Sequence, residues 1–444
     1  MRSRGGKLAV VASMVAGAAL ALVGCGTIKA GDSGTDGASA AAVGFKRYAG
    51  AVDYPAVTGP HDKGYVAPRE GLRQLVPLGD CVLGEGTFAN GYHYVNVNWT
   101  GSKGCTKLSI TPKPGADDES DVPYSMRTGW LGGGLPGDVV VPWGDGSLIG
   151  VGVALTRRTP DGEQVRLATL PLTFNTHPEQ ETADDASVNT AVKVGSRLLI
   201  GGGQTVNQVE TPYVFASDDA GTTVRSVPLP TINGGQPATP VGDFGVHGKE
   251  IVAFGAAATN AYDFHSSGTI PFWRSADGGA HWTSGEVTRT PPGTQVSRVL
   301  YASGHWFAVG GRAKAGAFYD SLPLVLTSRD GTHWTRMDTS AMGTGEITAA
   351  TVDSAGRLVL VGSAARPKSK PDSRTVWCAS VWVGNGTPTG FKRGSLGCSE
   401  DPPTTAVTLA DGRVLIAGNR DLWLSREPGS RSGPSAGPGR GDKS

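Results

Sequence analysis

The chain repeats one pattern of hydrophobic and polar positions six times. In each copy an alternating stretch is followed by a glycine, and then by an apolar run that ends in a second glycine. The copies are Val139–Gly152, Asn189–Gly202, Asp243–Gly255, Arg298–Gly310, Ala349–Gly362 and Thr405–Gly418. Their terminal glycines are 50 to 56 residues apart. A repeat of this length built from short strands is typical of stacked or radial β-units, and above all of β-propellers.

The two halves of each copy predict two different strands. The alternating half, as in Thr405–Leu409, predicts a strand with one buried face. The apolar half, as in Leu358–Val361, predicts a strand that is covered on both faces. Inner strands of a propeller have this burial because each blade lies between two others. We therefore predict an all-β fold, a β-propeller with four-stranded antiparallel blades.

The number of blades follows from the segment before the first copy. Leu72–Tyr124 spans one more repeat length, which favours seven blades, with six blades and an N-terminal cap as the alternative. The last copy has a third strand near Asp421–Leu424 but no fourth. Phe45–Tyr48 resembles Phe391–Gly394, which occupies a fourth-strand position. We expect Phe45–Tyr48 to supply the missing strand, so that the ring has no open sheet edge.

The N-terminus has the features of an export signal. Arg2, Arg4 and Lys7 precede an apolar run, Leu8–Val23, that is short for a membrane-spanning helix. The run ends in Leu22-Val23-Gly24-Cys25, which resembles the lipobox of bacterial lipoproteins. The resemblance implies cleavage before Cys25 and lipidation of its thiol, with an uncleaved anchor as the alternative. We expect a signal peptide at 1–24, a flexible tether at 25–43, the propeller at 44–426 and a disordered tail at 427–444.

The remaining four cysteines predict two disulfides in an exported protein. Pairing Cys81 with Cys105, and Cys378 with Cys398, closes two short loops, each within one blade. Other pairings remain open. Metal binding is not indicated, because the chain has no CxxC or HxxxH spacing, and we expect neither a metal nor a cofactor.

A second motif follows the third strand of several copies. Ser275-Ala-Asp277-Gly-Gly279-Ala-His-Trp282 resembles the Asp box, or BNR repeat, of sialidase-like propellers. Shorter or altered forms are Ser328-Arg-Asp330-Gly331-Thr-His-Trp334 and Ser217-Asp-Asp219-Ala-Gly221-Thr-Thr-Val224. The resemblance implies a structural turn between the third and fourth strands, away from any active site. Aspartate and glycine suit such a turn, because one bonds nearby amides and the other accepts positive φ.

Catalytic residues are not indicated by the sequence. Sialidases carry a Phe/Tyr-Arg-Ile-Pro motif, and this chain has none. A glycosidase needs two carboxylates at a set separation, and no spacing singles out a pair. Carboxylates clustered in Asp117–Asp121 are expected to be solvated, with weak Ca²⁺ binding as the alternative.

The glycine-rich segment Gly129–Pro136 gives the one candidate binding residue. Trp130 lies within it, and exposed aromatic side chains stack on sugars or peptides. Net charge is +1 and charged residues make up 18% of the chain, which argues against a nucleic-acid partner. We expect a monomer, anchored to the outer face of the cell membrane through Cys25, that serves as a binding or scaffold module for an envelope protein or polysaccharide. Alternatives are a glycoside hydrolase-like enzyme and an assembly factor resembling the BNR-type assembly propellers.

Overall fold

The computed structural model describes most of the region expected to be the propeller. The described residues are 38–53, 69–90, 93–112, 139–143, 146–151, 154–158, 164–171, 186–206, 209–232, 239–255, 268–291, 293–314, 317–365, 377–384, 390–398, 403, 405–418 and 420–427. They belong to one unit, Gly34–Ser444. The expected signal peptide, Cys25, Trp130, Asp117–Asp121 and residues 428–444 lie outside the described residues.

The described strands form seven sheets. Strands β1 to β3 belong to the N-terminal segment, and the others follow in groups of four, except for the last group of three. The N-terminal strands are β1 (Ala38–Ser39), β2 (Phe45–Tyr48) and β3 (Val52–Asp53). Blade 1 contains β4 (Arg69–Leu78), β5 (Cys81–Asn90), β6 (His93–Gly101) and β7 (Leu108–Pro112). Blade 2 contains β8 (Val139–Trp143), β9 (Gly146–Val151), β10 (Ala154–Arg158) and β11 (Gln164–Thr169).

The next three blades have the same order of strands. Blade 3 contains β12 (Ala186–Val194), β13 (Arg197–Val206), β14 (Val209–Ser217) and β15 (Arg225–Val227). Blade 4 contains β16 (Val241–His247), β17 (Glu250–Gly255), β18 (Thr269–Ser275) and β19 (Thr283–Thr288). Blade 5 contains β20 (Gln295–Ala302), β21 (His305–Lys314), β22 (Ala317–Ser328) and β23 (Thr335–Arg336).

The last two sheets complete the ring. Blade 6 contains β24 (Gly345–Val352), β25 (Leu358–Ala365), β26 (Trp377–Gly384) and β27 (Phe391–Gly397). Blade 7 contains β28 (Thr405–Thr408), β29 (Val414–Ala417) and β30 (Leu422–Ser425), with β2 as its fourth strand. Short 3₁₀ helices lie at Ala40–Val43, Lys103–Cys105 and Ser340–Met342.

The first strand of every blade lies on the inside of the ring. These inner strands contact one another in cyclic order, β4 to β8, β12, β16, β20, β24 and β28, and β28 contacts β4 again. Within each blade, consecutive strands are antiparallel neighbours. The predicted β-propeller with four-stranded antiparallel blades is therefore confirmed. Six of its sheets correspond to the six sequence repeats, and blade 1 precedes them.

Burial of the second strands follows the sequence pattern. Every residue of β29 is buried, and so are all residues of β25 except the last. Their side chains enter two different apolar clusters, one on each side of the blade: Val359 and Val361 face one neighbour, and Leu358 and Leu360 the other. The core of the protein is thus divided among the contacts between blades.

Ring closure uses the N-terminal segment, as predicted. Strand β2 pairs antiparallel with β30, and Phe45 stands opposite Ser425. Phe45 is buried in the apolar cluster between blades 6 and 7. The exposed Arg47 forms an ion pair with Asp421 at 2.5 Å. The edge that β30 would otherwise expose is therefore paired.

The same segment crosses three blades, which corrects the expected end of the tether. Strand β1 pairs in parallel with β27 of blade 6, and β3 pairs in parallel with β7 of blade 1. Ala40 is buried, and a side chain at Gly394 would collide with Val43. The expected tether, 25–43, is therefore wrong over residues 38–43, which are folded against blade 6. We call residues 38–53 the belt.

Both expected disulfides are present, Cys81–Cys105 in blade 1 and Cys378–Cys398 in blade 6. Cys81 begins β5, and Cys105 lies between β6 and β7. Cys378 is in β26, and Cys398 follows β27. Each bridge thus lies within one blade. Disulfides form and persist in oxidising compartments, which agrees with export.

Candidate functional site

The two ends of the ring differ in the length of their connections. Neighbouring inner strands run in the same direction, because Thr348 Oγ1 donates to the carbonyl of Pro403 at 2.7 Å and Thr351 meets Thr408 further along both strands. All first-to-second and third-to-fourth turns therefore lie at one end, which we call the turn end. All second-to-third and fourth-to-first connections lie at the other, the connection end. Among the segments that join successive strands from β4 onward, the five longest begin and end at the connection end: 113–138, 170–185, 228–240, 256–268 and 366–376.

The Asp-box-like segments form closed turns at the turn end. In blade 4 the segment lies between β18 and β19, and Ser275 Oγ accepts a hydrogen bond from the Gly279 amide at 2.9 Å. Asp277 Oδ1 accepts from the amides of Ala280 and His281, both at 3.0 Å. Trp282 Nε1 donates to the carbonyl of Gly279 at 3.2 Å. The turn satisfies its own polar groups.

Blades 3 and 5 repeat this geometry. In blade 5, Gly331 donates to Ser328 Oγ at 2.9 Å, and Trp334 Nε1 donates to the Gly331 carbonyl at 3.3 Å. Asp330 Oδ1 accepts from the amides of Thr332 and His333, both at 2.8 Å. In blade 3 the corresponding residues are Ser217, Asp219 and Gly221, and the Gly221 amide donates to Ser217 Oγ at 2.8 Å.

Hydrogen bonds also stabilise the charged form of the turn aspartates. The backbone amide of His281, and then its ring, hold the pKa of Asp277 well below its usual range. For Asp330, partial burial opposes the shift, but hydrogen bonds from His333 and Thr332 outweigh it and lower the pKa. These aspartates are ionised at neutral pH and are occupied by the turn. Their geometry supports a structural role.

The turns also attach each blade to the preceding one. A β-carbon at Gly279 would lie 2.6 Å from Leu199 of blade 3, and one at Gly331 would lie 2.9 Å from Val252 of blade 4. Trp334 packs edge-on against Phe254 of blade 4, with ring centroids 4.8 Å apart. The turn glycines are therefore required for close approach between blades as well as for their positive φ.

Several inner strands contain β-bulges near the connection end. The register shifts by one residue in β4, β12, β16, β20 and β24, which leaves one residue of each strand unpaired. The extra residues are Arg73, Asn189, Gly242, Ser297 and Thr348. Two of these side chains reach the next blade: Thr348 bonds the Pro403 carbonyl, and Asn189 Nδ2 donates to the Val241 carbonyl at 3.0 Å. Bulges re-aim side chains and are frequent beside functional sites.

A buried carboxylate joins three inner strands just beyond the bulges. Asp243 in β16 is 6% exposed, and its Oδ2 accepts from the Val299 amide of β20 at 2.7 Å. Its Oδ1 is 3.3 Å from both Arg298 Nη1 and Thr190 Oγ1 of β12. Burial raises the pKa of Asp243, and the Arg298 guanidinium opposes that rise. Its partners lie in β12 of blade 3 and β20 of blade 5. Asp243 of blade 4 therefore links these three blades.

Exposed polar side chains of three inner strands lie at the connection end. Asn189, Gln295, Ser297 and Glu346 are exposed and lie near the beginnings of inner strands. We call them the mouth residues. Desolvation raises the pKa of Glu346 although its surface is exposed.

The sequence located the turns and the disulfides but missed the inner-strand residues. Asp243 and Arg298 begin two of the six repeats, where Ala349 stands in another copy. A charged residue at the start of an alternating strand was the available signal. Trp130 lies outside the described residues, but the strands that flank it, β7 and β8, meet the connection end.

Two observations on the described residues concern metal binding and membrane spanning. Within them, no group of three or more His, Cys, Asp or Glu side chains could hold a metal ion. No helix in that part of the chain is long and apolar enough to cross a membrane.

Comparison with known proteins identifies no family. No protein-family profile matches the chain, and no curated protein matches its sequence. Solved structures with similar folds include the extracellular domain of a B. thetaiotaomicron protein described as a hybrid two-component system, with a TM-score of 0.46 and 9% identity. That match covers 82% of this chain and 39% of that chain, so the chain spans about two fifths of its length.

Two further structures are similar at the same low level. The WD40 β-propeller domain of Doa1 has a TM-score of 0.42 and 10% identity, over 82% of this chain and 96% of that chain. The GH93 α-L-arabinofuranosidase of Fusarium graminearum has a TM-score of 0.34 and 11% identity, over 53% of this chain and 75% of that chain. Similarity at this level says nothing of activity. The order of strands and the cyclic contacts of the inner strands make this chain an all-β protein of the β-propeller fold.

Proposed function

We propose that this chain is an exported, lipid-anchored β-propeller that binds an envelope polysaccharide at its connection end. The observation that carries the proposal is the difference between the two ends. The turn end is made of short, self-bonded turns, whereas the mouth residues lie at the other end, and the strands that flank the longest connections, that of Trp130 among them, end there. Binding residues concentrate on connections held by a rigid scaffold.

The chemistry of the mouth residues favours a polysaccharide over a protein. Their side chains are two amides, one hydroxyl and one carboxylate, which match the hydroxyl groups of a sugar. Among the described residues the exposed large hydrophobic is Val165, in an outer strand of blade 2. Protein interfaces usually bury apolar and aromatic side chains at their centre. Aromatic stacking on the sugar would come from Trp130.

The mouth residues support a hydrolytic function less well than a binding function. Glycosidases of the usual type use a pair of carboxyl groups. The mouth residues contain one carboxylate, Glu346, and the nearby Asp243 is buried among its own partners. A binding module therefore accounts for the described residues better than an enzyme does.

A cosedimentation experiment tests the proposal. The mature protein with Cys25→Ala, to prevent lipidation, is mixed with insoluble cell-wall polysaccharide from the host, and the bound fraction is measured. We expect saturable binding that weakens about tenfold in Glu346→Gln or Trp130→Ala. Glu250→Gln is the matched control, since Glu250 pairs with Arg274 at the turn end and its change should leave binding unaltered.

Three other results would count against the proposal. Equal binding by Glu346→Gln, Trp130→Ala and the parent protein would exclude the connection end as the binding surface. Absence of binding to polysaccharide, with capture of one envelope protein that the same variants abolish, would support the protein-binding alternative. Release of soluble sugar during incubation would identify an enzyme.

A further inference from the structure

Arg312 occupies an unusual position in the contact between blades 4 and 5. It stands opposite Leu322 in the pairing of β21 with β22, two residues beyond the pair Gly310–Leu324. Opposite residues, and residues two apart, share one face of a sheet. Leu324 belongs to the apolar cluster that β20–β22 form with blade 4. Arg312 therefore lies on the face of blade 5 that packs against blade 4, closer to the connection end than Leu324.

Arg336 lies on the same face of blade 5. It stands opposite Leu326 in the pairing of β22 with β23, and Leu326 is another member of that cluster. Trp334, two residues earlier, packs against the cluster as well. Two arginines thus lie on the face of blade 5 that packs against blade 4, and we call this region the blade 4–5 face.

No ion pair joins either arginine to a described carboxylate side chain, and the side chains of residues 313–320, next to Arg312, lie outside the described ones. The Nε atom of Arg312 is buried and has no hydrogen-bond partner among the described residues. Desolvation lowers the pKa of Arg312, and the positive charge of Arg336 lowers it further. Other partly buried arginines are ion-paired, as Arg197 is with Asp218 and Arg298 with Asp243.

A guanidinium in this position calls for an acceptor. A buried N–H without a partner costs about 1–3 kcal/mol, more when the group is charged. A long side chain can cover apolar surface and keep its charged end in water, which explains the stem of Arg312 but not the buried Nε. Two arginines that repel each other on one surface are stabilised together when an anion lies between them.

We propose that the blade 4–5 face binds an oxyanion, a carboxylate or a phosphate, through Arg312 and Arg336. Arg is suited to either group because its planar donors match two oxygens of the anion at once. The proposal is independent of polysaccharide binding at the mouth residues, since a neutral sugar could bind there with no anion on the blade 4–5 face.

Titration calorimetry with inorganic phosphate and with glucuronate tests anion binding at the blade 4–5 face directly. The full mature protein with Cys25→Ala is titrated at low ionic strength, and so are the variants Arg312→Gln and Arg336→Gln. We expect saturable binding of at least one anion, a loss of affinity of tenfold or more in Arg312→Gln, and a smaller loss in Arg336→Gln. Phosphate alone would indicate a phosphoryl ligand, and glucuronate alone a carboxylate.

Arg357→Gln is the matched control, because Arg357 is ion-paired with Asp353 at the turn end and should not affect the titration. The unfolding midpoint gives a second measurement: the anion should raise it in the parent protein and not in Arg312→Gln. Arg336 is exposed, so its replacement should not disturb folding. If Arg312→Gln fails to fold, the comparison of anion binding by Arg336→Gln and by the parent protein still tests the proposal. The proposal would be overturned if neither anion bound saturably. It would also be overturned if Arg312→Gln and Arg336→Gln both bound the anion as tightly as the parent protein.

Discussion

Asp243 and Val299 belong to different blades, and the carboxylate of the first accepts the amide hydrogen bond of the second at 2.7 Å. The contact also brings Arg298 against the same carboxylate. Removing Asp243 leaves a buried amide and a half-buried guanidinium without their partner. Breaking a buried charged pair from one side is among the more costly single changes.

We expect Asp243→Ala to lower the free energy of unfolding by about 3 kcal/mol. Asp243→Asn should cost less, because the amide oxygen still accepts from Val299. Urea unfolding followed by tryptophan fluorescence measures both. Asp218→Ala is the control: this half-exposed aspartate is paired at the surface, and its loss should cost less than about 1 kcal/mol. Equal effects at Asp243 and Asp218 would show that the inter-blade contact is dispensable.

Substitutions at two adjacent glycines of blade 4 distinguish the cost of backbone strain from the cost of a collision between blades. Gly278 and Gly279 both have positive φ, 76° and 81°. A β-carbon at Gly279 would collide with Leu199, whereas one at Gly278 would lie 3.8 Å from Val194. We expect Gly278→Ala to cost about 1 kcal/mol and Gly279→Ala to cost clearly more. Thermal unfolding of the two variants checks the order, and a smaller loss for Gly279→Ala would contradict close docking of the turn on blade 3.

The turn aspartates predict a loss of stability in acid. Asp277 and Asp330 have pKa values lowered in the folded state, so their contribution is present above the unfolded pKa of about 4. It is lost as the pH falls below that value. The double variant Asp277→Asn with Asp330→Asn should be less stable than the parent at pH 7, and the difference should shrink towards pH 3. Urea unfolding across this range measures it, and a difference that does not change with pH argues against ionised turn carboxylates.

The belt predicts two different outcomes of N-terminal truncation. A chain that begins at Ala38 retains β1, β2 and β3 and should keep the parent melting temperature. A chain that begins at Gly50 loses β2 and the buried Phe45. It exposes the edge of β30, and we expect its melting temperature to fall by at least about 5 °C. Circular dichroism records both, and a peptide of residues 38–53 should restore part of the loss.

Cys25 determines the proposed membrane attachment. We expect Cys25→Ala to move the protein from the membrane fraction to the soluble fraction of the host and to abolish labelling with a lipid precursor. Cys81→Ala with Cys105→Ala is the matched control, since it removes cysteines without touching the signal. Retention of Cys25→Ala in the membrane, with the N-terminal segment uncleaved, would favour the uncleaved anchor.

Local features were predictable from the sequence because each depends on neighbouring residues. The glycine and aspartate of a turn act within a few residues, and an apolar run such as Val414–Ala417 needs only burial on both faces. Phe45–Tyr48 was recognisable through its likeness to another fourth strand. The pairing of Asp243 with Arg298 was not, because it depends on which residues face each other across 55 positions of sequence. Strand β1 is two small residues long and carries no pattern at all.

Closure of the ring and the exit of the N-terminus belong to one segment. The belt leaves the propeller at the outer edge of blade 6, beside β27, and its next strand is the one that seals blade 7. A pulling force applied upstream of Ala38 would therefore load β1 first and then β2, before any of the strands inside the ring. The mechanical strength of the whole propeller, when it is held by its N-terminus, is set by these two short strands.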